Sequence, residues 1–286
     1  MLKFIIILFT ISLSGIVQAE TARDIMQKVI NRDDGYSQYA KQVVATCQYT
    51  INKQSLKCVE KPRIKLVEFV QRDTGHDNKD DQSVMIIQKP AAEHGIGFLQ
   101  YDYDAEGKDS DQWMYLSALG KVKRIVAGND NEPKTGTLFG SEFSYEDTER
   151  SHLNDFVYTL IKEYACQPND CWVIESLPTP KHARKSNYSK LIQWVDKTRY
   201  MVIKAHMYDR RGRLIKQLSV SDIVEQDGIW VARKLNMNNV QTQRITTMKL
   251  NDVFINVDID PSMLTQRTLT DGAFREKHLK HVRELR

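Results

Sequence analysis

The stretch Tyr200-Met201-Val202-Ile203-Lys204-Ala205-His206-Met207-Tyr208 decides the fold class. Read with a period of two, Met201, Ile203, Ala205 and Met207 fall on one face. Lys204, His206 and Tyr208 fall on the other. One dry face and one wet face is the pattern of an antiparallel strand with solvent on one side. Asp209-Arg210-Arg211-Gly212 then reads as a turn, and Leu214–Val220 as the next strand. Upstream lies Leu191–Asp196, and downstream Ile229–Met237 and Gln243–Val253 follow, with Gln226-Asp227-Gly228 as a hairpin signal. The first half repeats the pattern in Gln42–Ile51, Arg63–Arg72, Ser83–Gln88, Gly97–Tyr103 and Gln112–Leu116, all rich in β-branched and aromatic residues. These runs predict a mainly β (α+β) fold. The expected architecture is a single curved antiparallel sheet forming an incomplete β-barrel, with a few helices covering its concave face.

Helical signals are few. Thr21 can cap Ala22–Asn31, where Ile25, Met26, Val29 and Ile30 share a face and Asp33-Asp34-Gly35 ends the run. Short helical interruptions are expected near Ser151–Asp155 and His182–Asn187, and a basic helix or tail over Phe274–Arg286. With 41% apolar residues, 13 Gly and 7 Pro, the chain has enough hydrophobic mass for a core and is not of disordered composition. Its net charge of +4, spread along the sequence, argues against a dedicated nucleic-acid binder. No repeat or linker divides residues 20–286, which are read as one domain.

The amino terminus gives an address. Lys3 precedes an apolar stretch from Phe4 to Val17, too short to span a bilayer, and Val17-Gln18-Ala19 offers small residues before Glu20. Residues 1–19 therefore read as a cleaved signal peptide, giving a periplasmic protein. The four cysteines fit that compartment. Cys47 and Cys58 bracket Asn52-Lys53-Gln54-Ser55, and Cys166 and Cys171 bracket Gln167-Pro168-Asn169-Asp170. Proximity favours disulfides Cys47–Cys58 and Cys166–Cys171 among three pairings. Neither pair has the tight Cys-x-x-Cys spacing of a zinc knuckle.

Catalytic signatures are missing: the sequence has no metalloprotease, nucleophile-elbow, Walker or dinucleotide-binding motif. Asp102-x-Asp104-x-Glu106-Gly107 echoes half a calcium loop, but Trp113 stands where a closing Glu is needed. His278 and His281 sit one helical turn apart with no third ligand nearby in sequence. The expectation is no enzyme, no metal and no cofactor.

Two blocks are distinctive. Trp113-Met114-Tyr115-Leu116-Ser117-Ala118-Leu119-Gly120-Lys121-Val122-Lys123-Arg124-Ile125 is followed by Leu138-Phe139-Gly140-Ser141-Glu142-Phe143-Ser144-Tyr145-Glu146-Asp147. Together they resemble the signature of the LolA-like family of outer-membrane lipoprotein-sorting proteins. Tyr208-Asp209, Leu214-Ile215-Lys216, Gly228-Ile229-Trp230 and Thr246-Thr247 extend the likeness, which runs from about Val84 onward. Ser117, Gly120, Glu142 and an insertion-like loop at Gly128–Thr137 depart from the pattern. The resemblance implies a helix-closed half-barrel with an apolar cavity for acyl chains, and a link to RND-type inner-membrane lipid exporters. The corresponding function is a periplasmic carrier of lipid or lipoprotein acyl chains toward the outer membrane, with transient membrane contact. The alternatives are a non-carrier assembly module docked to an exporter and a lipid hydrolase.

Face alternation and the signature together nominate Trp113, Tyr115, Phe143, Tyr145, Trp194, Met201, Ile203, Met207 and Trp230 as cavity lining. Phe143 and Tyr145 are read as an alternating aromatic pair on a strand, like Trp113 and Tyr115. Met237 and Met248 also sit in the sheet, where methionine adapts to varied chains. Lys121, Lys123 and Arg124 are candidate partners for Glu142, Glu146, Asp147 or a lipid head group.

Overall fold

Alternating strands with one dry face bury it most simply by curling the sheet upon itself. The computed structural model, which describes residues 20–52, 55–128 and 132–284, does this with a 14-stranded antiparallel sheet. The expected signal peptide lies outside the described residues. Helix α1 (Ala22–Ile30) leads into β1 (Ser37–Asn52), β2 (Ser55–Cys58), β3 (Arg63–Thr74), β4 (Asp80–Lys89), β5 (Gly97–Asp102), β6 (Asp111–Leu116) and β7 (Lys121–Ile125). Short 3-10 turns at Leu138–Gly140, Glu146–Thr148 and Leu153–Asp155 precede β8 (Phe156–Ala165) and β9 (Asp170–Pro178). After the one-turn α2 (Pro180–Ala183) come β10 (Tyr188–Asp196), β11 (Met201–Asp209), β12 (Leu214–Gln226), β13 (Ile229–Asn239) and β14 (Arg244–Ile255). Helices α3 (Gln266–Thr270) and α4 (Gly272–Glu284) finish the chain.

The strand order β7-β6-β5-β4-β3-β1-β14-β13-β12-β11-β10-β9-β8 leaves β7 and β8 as free edges, so the barrel stays open. Long β1 is the spine, with β3 on one side, β14 on the other, and β2 folded back on its end. Curvature shows in the packing. Met114 of β6 and Met207 of β11 are far apart in strand order yet belong to one buried cluster, with Val44, Phe98, Val231 and Met248. That cluster marks the concave face.

Helix placement departs from expectation. Helix α1 sits on the concave side, where Ile25 and Met26 pack on Ile174 and Val195. The register sets Ile174 opposite Gln193 and Gln193 opposite Ala205, which belongs to the concave cluster. A capping box starts this helix, with Asp24 N donating to Thr21 Oγ1 at 3.2 Å and Thr21 N donating to Asp24 at 3.2 Å. Helices α3 and α4 cover the convex face instead. Leu264, Leu269, Leu279 and Val282 seal Tyr39, Val70, Val84 and Leu99.

Four strands were not anticipated: β2, β7, β8 and β9. β7 is short and carries Lys121, Lys123 and Arg124, so it lacks an apolar signal. β8 and β9 flank the Cys166–Cys171 turn, and β8 is mostly exposed because it is an edge. Both expected disulfides are formed, with Cα–Cα separations of 5.8 Å for Cys47–Cys58 and 5.7 Å for Cys166–Cys171. Among the described residues no helix is long and apolar enough to cross a membrane.

Candidate functional site

The concave face is only partly filled, and a cavity of about 790 Å³ remains between the sheet, α1 and the 138–151 segment. That lies within the ~300–1,000 Å³ usual for small-molecule sites. One end is apolar: Phe69 of β3, Met85 of β4, Phe98 of β5, Leu235 of β13 and Met248 of β14 meet Leu138 and Phe143. The other end carries Asp34, Asp73, Asp81 and Asp102, with Arg32, Lys79 and Arg150 among them. Burial pushes the Asp81 carboxyl up to about 8, with the charge of Asp102 adding to it, although Gln71 Nε2 donates to Asp81. Asp73 rises to about 6 through burial and the nearby Asp34, which is itself raised by burial. The cavity thus joins an oily end to an acidic one.

A plug, residues 137–148, closes the apolar end. The second signature block expected as a strand is this irregular segment. Thr137 bridges to Ser144, Leu138 N donates to Phe143 O at 2.8 Å, and a 3-10 turn lies between them. Phe139 and Gly140 both take positive φ, 51° and 71°, so a glycine follows where the chain must stay left-handed. The plug's carboxylates anchor it. Asp147 accepts from Lys216 Nζ of β12 at 2.6 Å, Tyr188 OH of β10 at 2.6 Å and Ser144 N at 2.7 Å. Burial raises the Tyr188 hydroxyl well above its ordinary value, and the Asp147 charge acts the same way. Glu142 pairs with Arg244 at 3.0 Å and accepts from Asn239 Nδ2 at 3.0 Å. Glu146 accepts from Asn187 N at 2.8 Å and Asn187 Nδ2 at 2.7 Å. Toward β5 and β6 the anchors are neutral: buried Gln112 Nε2 donates to Gln100 Oε1 at 2.8 Å and to Tyr145 O at 3.1 Å. The partners read for these acids from β7 are therefore corrected, and Arg124 pairs with Asp111.

The nine nominated residues do not converge. Phe143 lines the cavity. Tyr145 and Met207 are buried in the concave cluster just behind it, and Tyr145 stacks on Phe98 at 5.8 Å. Trp113 and Tyr115 lie on the convex face with the α3 and α4 contacts, because Met114 between them takes the concave side. A bulge breaks the alternation in β11. Trp194 pairs with Lys204 and Val195 with Val202, leaving Ile203 without an opposite residue. Val202 accordingly packs inward, Ile203 is half-buried outside the clusters, and Met201 is buried apart from Met207. Trp194 stands outside, edge-on to His206 at 4.8 Å and beneath Lys204. Trp230 lies between inward-facing Ile229 and Val231, and the Arg199 guanidinium covers its ring at 4.5 Å. Phe69, Met85, Phe98 and Leu235 were missed. They lay in recognised strands whose inward face the sequence left unassigned.

A family model with the description "Uncharacterized protein" matches residues 79–271. No curated protein is similar to the chain at a significant level. Among solved structures, a DUF1329 family protein from Desulfovibrio piger superposes with a TM-score of 0.75 at 22% identity, covering 87% of this chain and 97% of its own. A domain from Vibrio parahaemolyticus described as an outer membrane lipoprotein-sorting protein gives 0.73 at 26% identity, covering 87% and 98%. A LolA superfamily protein from Nitrosomonas europaea gives 0.61 at 17% identity, covering 86% and 98%. The chain thus belongs to the family of that model, and its open curled sheet and two signature blocks are LolA-like.

Proposed function

We propose that the protein is a periplasmic carrier, exported by a signal peptide at residues 1–19, that shields a lipid or the acyl chains of a lipoprotein on their way toward the outer membrane. The observation that carries this reading is the cavity of about 790 Å³ with its Phe- and Met-walled end. Each buried CH2 is worth ~0.8 kcal/mol, so an acyl chain crosses water slowly unless escorted. Methionines at 85 and 248 suit chains of varied length, because their side chains adapt to what they meet. Two disulfides suit an oxidising compartment. The proposed source of cargo is an RND-type inner-membrane exporter, as the family resemblance implies. The protein's part is binding, without catalysis or cofactor.

Native mass spectrometry on the mature protein, purified from periplasm without detergent, tests the reading. A retained lipid mass that is displaced by a fatty-acid probe is the expected result. A lipid-free protein that binds no probe, yet is recovered in a tight exporter complex, would replace the carrier by an assembly module.

A further inference from the structure

The carrier reading concerns the concave face; the strongest remaining feature is at the opposite extreme, where the β1–β2 hairpin leaves the sheet. β1 pairs with β3 only up to Thr46 and with β14 only up to Gln48. Beyond Tyr49 it has β2 alone, as Thr50 opposite Lys57, Ile51 opposite Leu56 and Asn52 opposite Ser55. Every described residue from 50 to 61 is exposed. The Cys47–Cys58 disulfide ties the base of this projection to the spine of the sheet.

The projection is not polar, as an exposed hairpin usually is. Ile51 is 65% exposed, Leu56 44%, Val59 57% and Ile64 51%. Ile51 and Leu56 share a face because they are directly opposed. Alternation along β1 places that face on the convex side, with Ala45 and its partner Ile64. Around these apolar groups stand Lys57, Lys61 and Arg63 against a single carboxylate, Glu60. None of the three cations makes an ion pair among the described residues.

We infer that this hairpin docks the protein on an anionic phospholipid surface, with Ile51 and Leu56 entering the headgroup boundary and Lys57, Lys61 and Arg63 meeting lipid phosphates. Area and charge select this occupant. A stable protein–protein interface takes about 800 Å² from each partner, more than a two-stranded tip can present. A bilayer requires no complementary surface, and it rewards a few apolar side chains ringed by cations. The disulfide lowers the cost of insertion, since the hairpin keeps its form on leaving water.

The test is co-sedimentation of the full mature protein with phosphatidylglycerol-containing vesicles and with pure phosphatidylcholine vesicles. Two double variants accompany the wild type: Ile51→Ser with Leu56→Ser, and Lys57→Glu with Lys61→Glu. These side chains are exposed, so the urea midpoint should stay at the wild-type value and confirm folding. The wild type should sediment with anionic vesicles, and each variant should bind about tenfold or more weakly. Wild-type protein that fails to sediment, or variants that sediment as well as it does, would overturn the inference. Fatty-acid probe affinity in solution should be the same for all three proteins. If the wild type binds vesicles but no probe, the carrier reading fails while the docking surface stands.

Discussion

The two wings of the sheet treat their outer aromatic residues in opposite ways. In the β3–β7 wing, Trp113 packs edge-on to Tyr101 at 5.0 Å, and Tyr101 OH donates to Leu264 O at 2.7 Å, so protein covers both rings. In the β8–β12 wing, cations do the covering. Lys204 lies 4.4 Å from the Trp194 ring centroid and Lys190 4.9 Å from Tyr208. Strands with similar amphipathic patterns thus present one wing that is buried on both faces and another that is wet outside. A large aromatic in such a strand says only that something must cover it. The cavity is marked by Phe69, Met85, Phe98, Leu235 and Met248, which lack a polar handle for solvent.

The difference reaches the plug, which the wet wing holds by charge and the dry wing by neutral amides. Lys216 and Asp147 form a pair with side chains 8% and 2% exposed. Lys216→Met strands a buried carboxylate and should cost about 3–5 kcal/mol, read from chemical denaturation at pH 7. A loss below about 1 kcal/mol would show that the plug does not depend on this pair. Leu99, wholly buried under the terminal helices, should cost about 2–5 kcal/mol as Leu99→Ala. Leu177→Ala in the wet wing, where the side chain is 40% exposed, should change the urea midpoint far less. Equal losses at the two leucines would erase the contrast between the wings.

Acidity supplies a finer probe. The Asp81 carboxyl is raised from 3.8 to about 8 in the fold, chiefly by burial. Folded protein therefore holds that proton more tightly than unfolded chain. The stability it contributes is complete below about pH 4 and is lost as pH rises through 8. Asp81→Asn should be more stable than wild type by about 1–3 kcal/mol at pH 9, with the gap closing by pH 4. Denaturation midpoints across that range check the sign, and a gap that widens in acid would contradict it. The smallest effect belongs to the wet wing's cation-capped rings. Trp194→Ala should cost about 0.5–1 kcal/mol of cation–π energy beyond its lost packing, isolated by a double-mutant cycle with Lys204→Ala.

Much of the fold was legible because period-two alternation is enforced wherever a sheet has one wet face. The turns around Gly212 and Gly228, the capping Thr21 and both disulfides were readable for the same local reason: their signals lie within a few residues. What escaped is set over longer range. β8 and β7 are edges, so they need not be apolar. The bulge at Ile203 undoes the alternation that nominated Met201 and Ile203 together. The 138–147 block holds its aromatics inward through Lys216, Tyr188 and Gln112, which are distant in sequence, rather than through strand geometry. Trp113 turned outward because terminal helices cover the convex face, and no feature of β6 itself announces them.

The central claim is that acyl chains occupy the apolar end of the cavity, and it is tested most directly by titrating a fluorescent fatty acid into Met85→Gln, Met248→Gln and, as an outer-face control, Trp194→Gln. All three should remain folded by urea midpoint. The account predicts about tenfold or greater loss of affinity for the two cavity variants and wild-type affinity for the Trp194 variant. Wild-type affinity in both methionine variants, or a loss confined to Trp194→Gln, would contradict it.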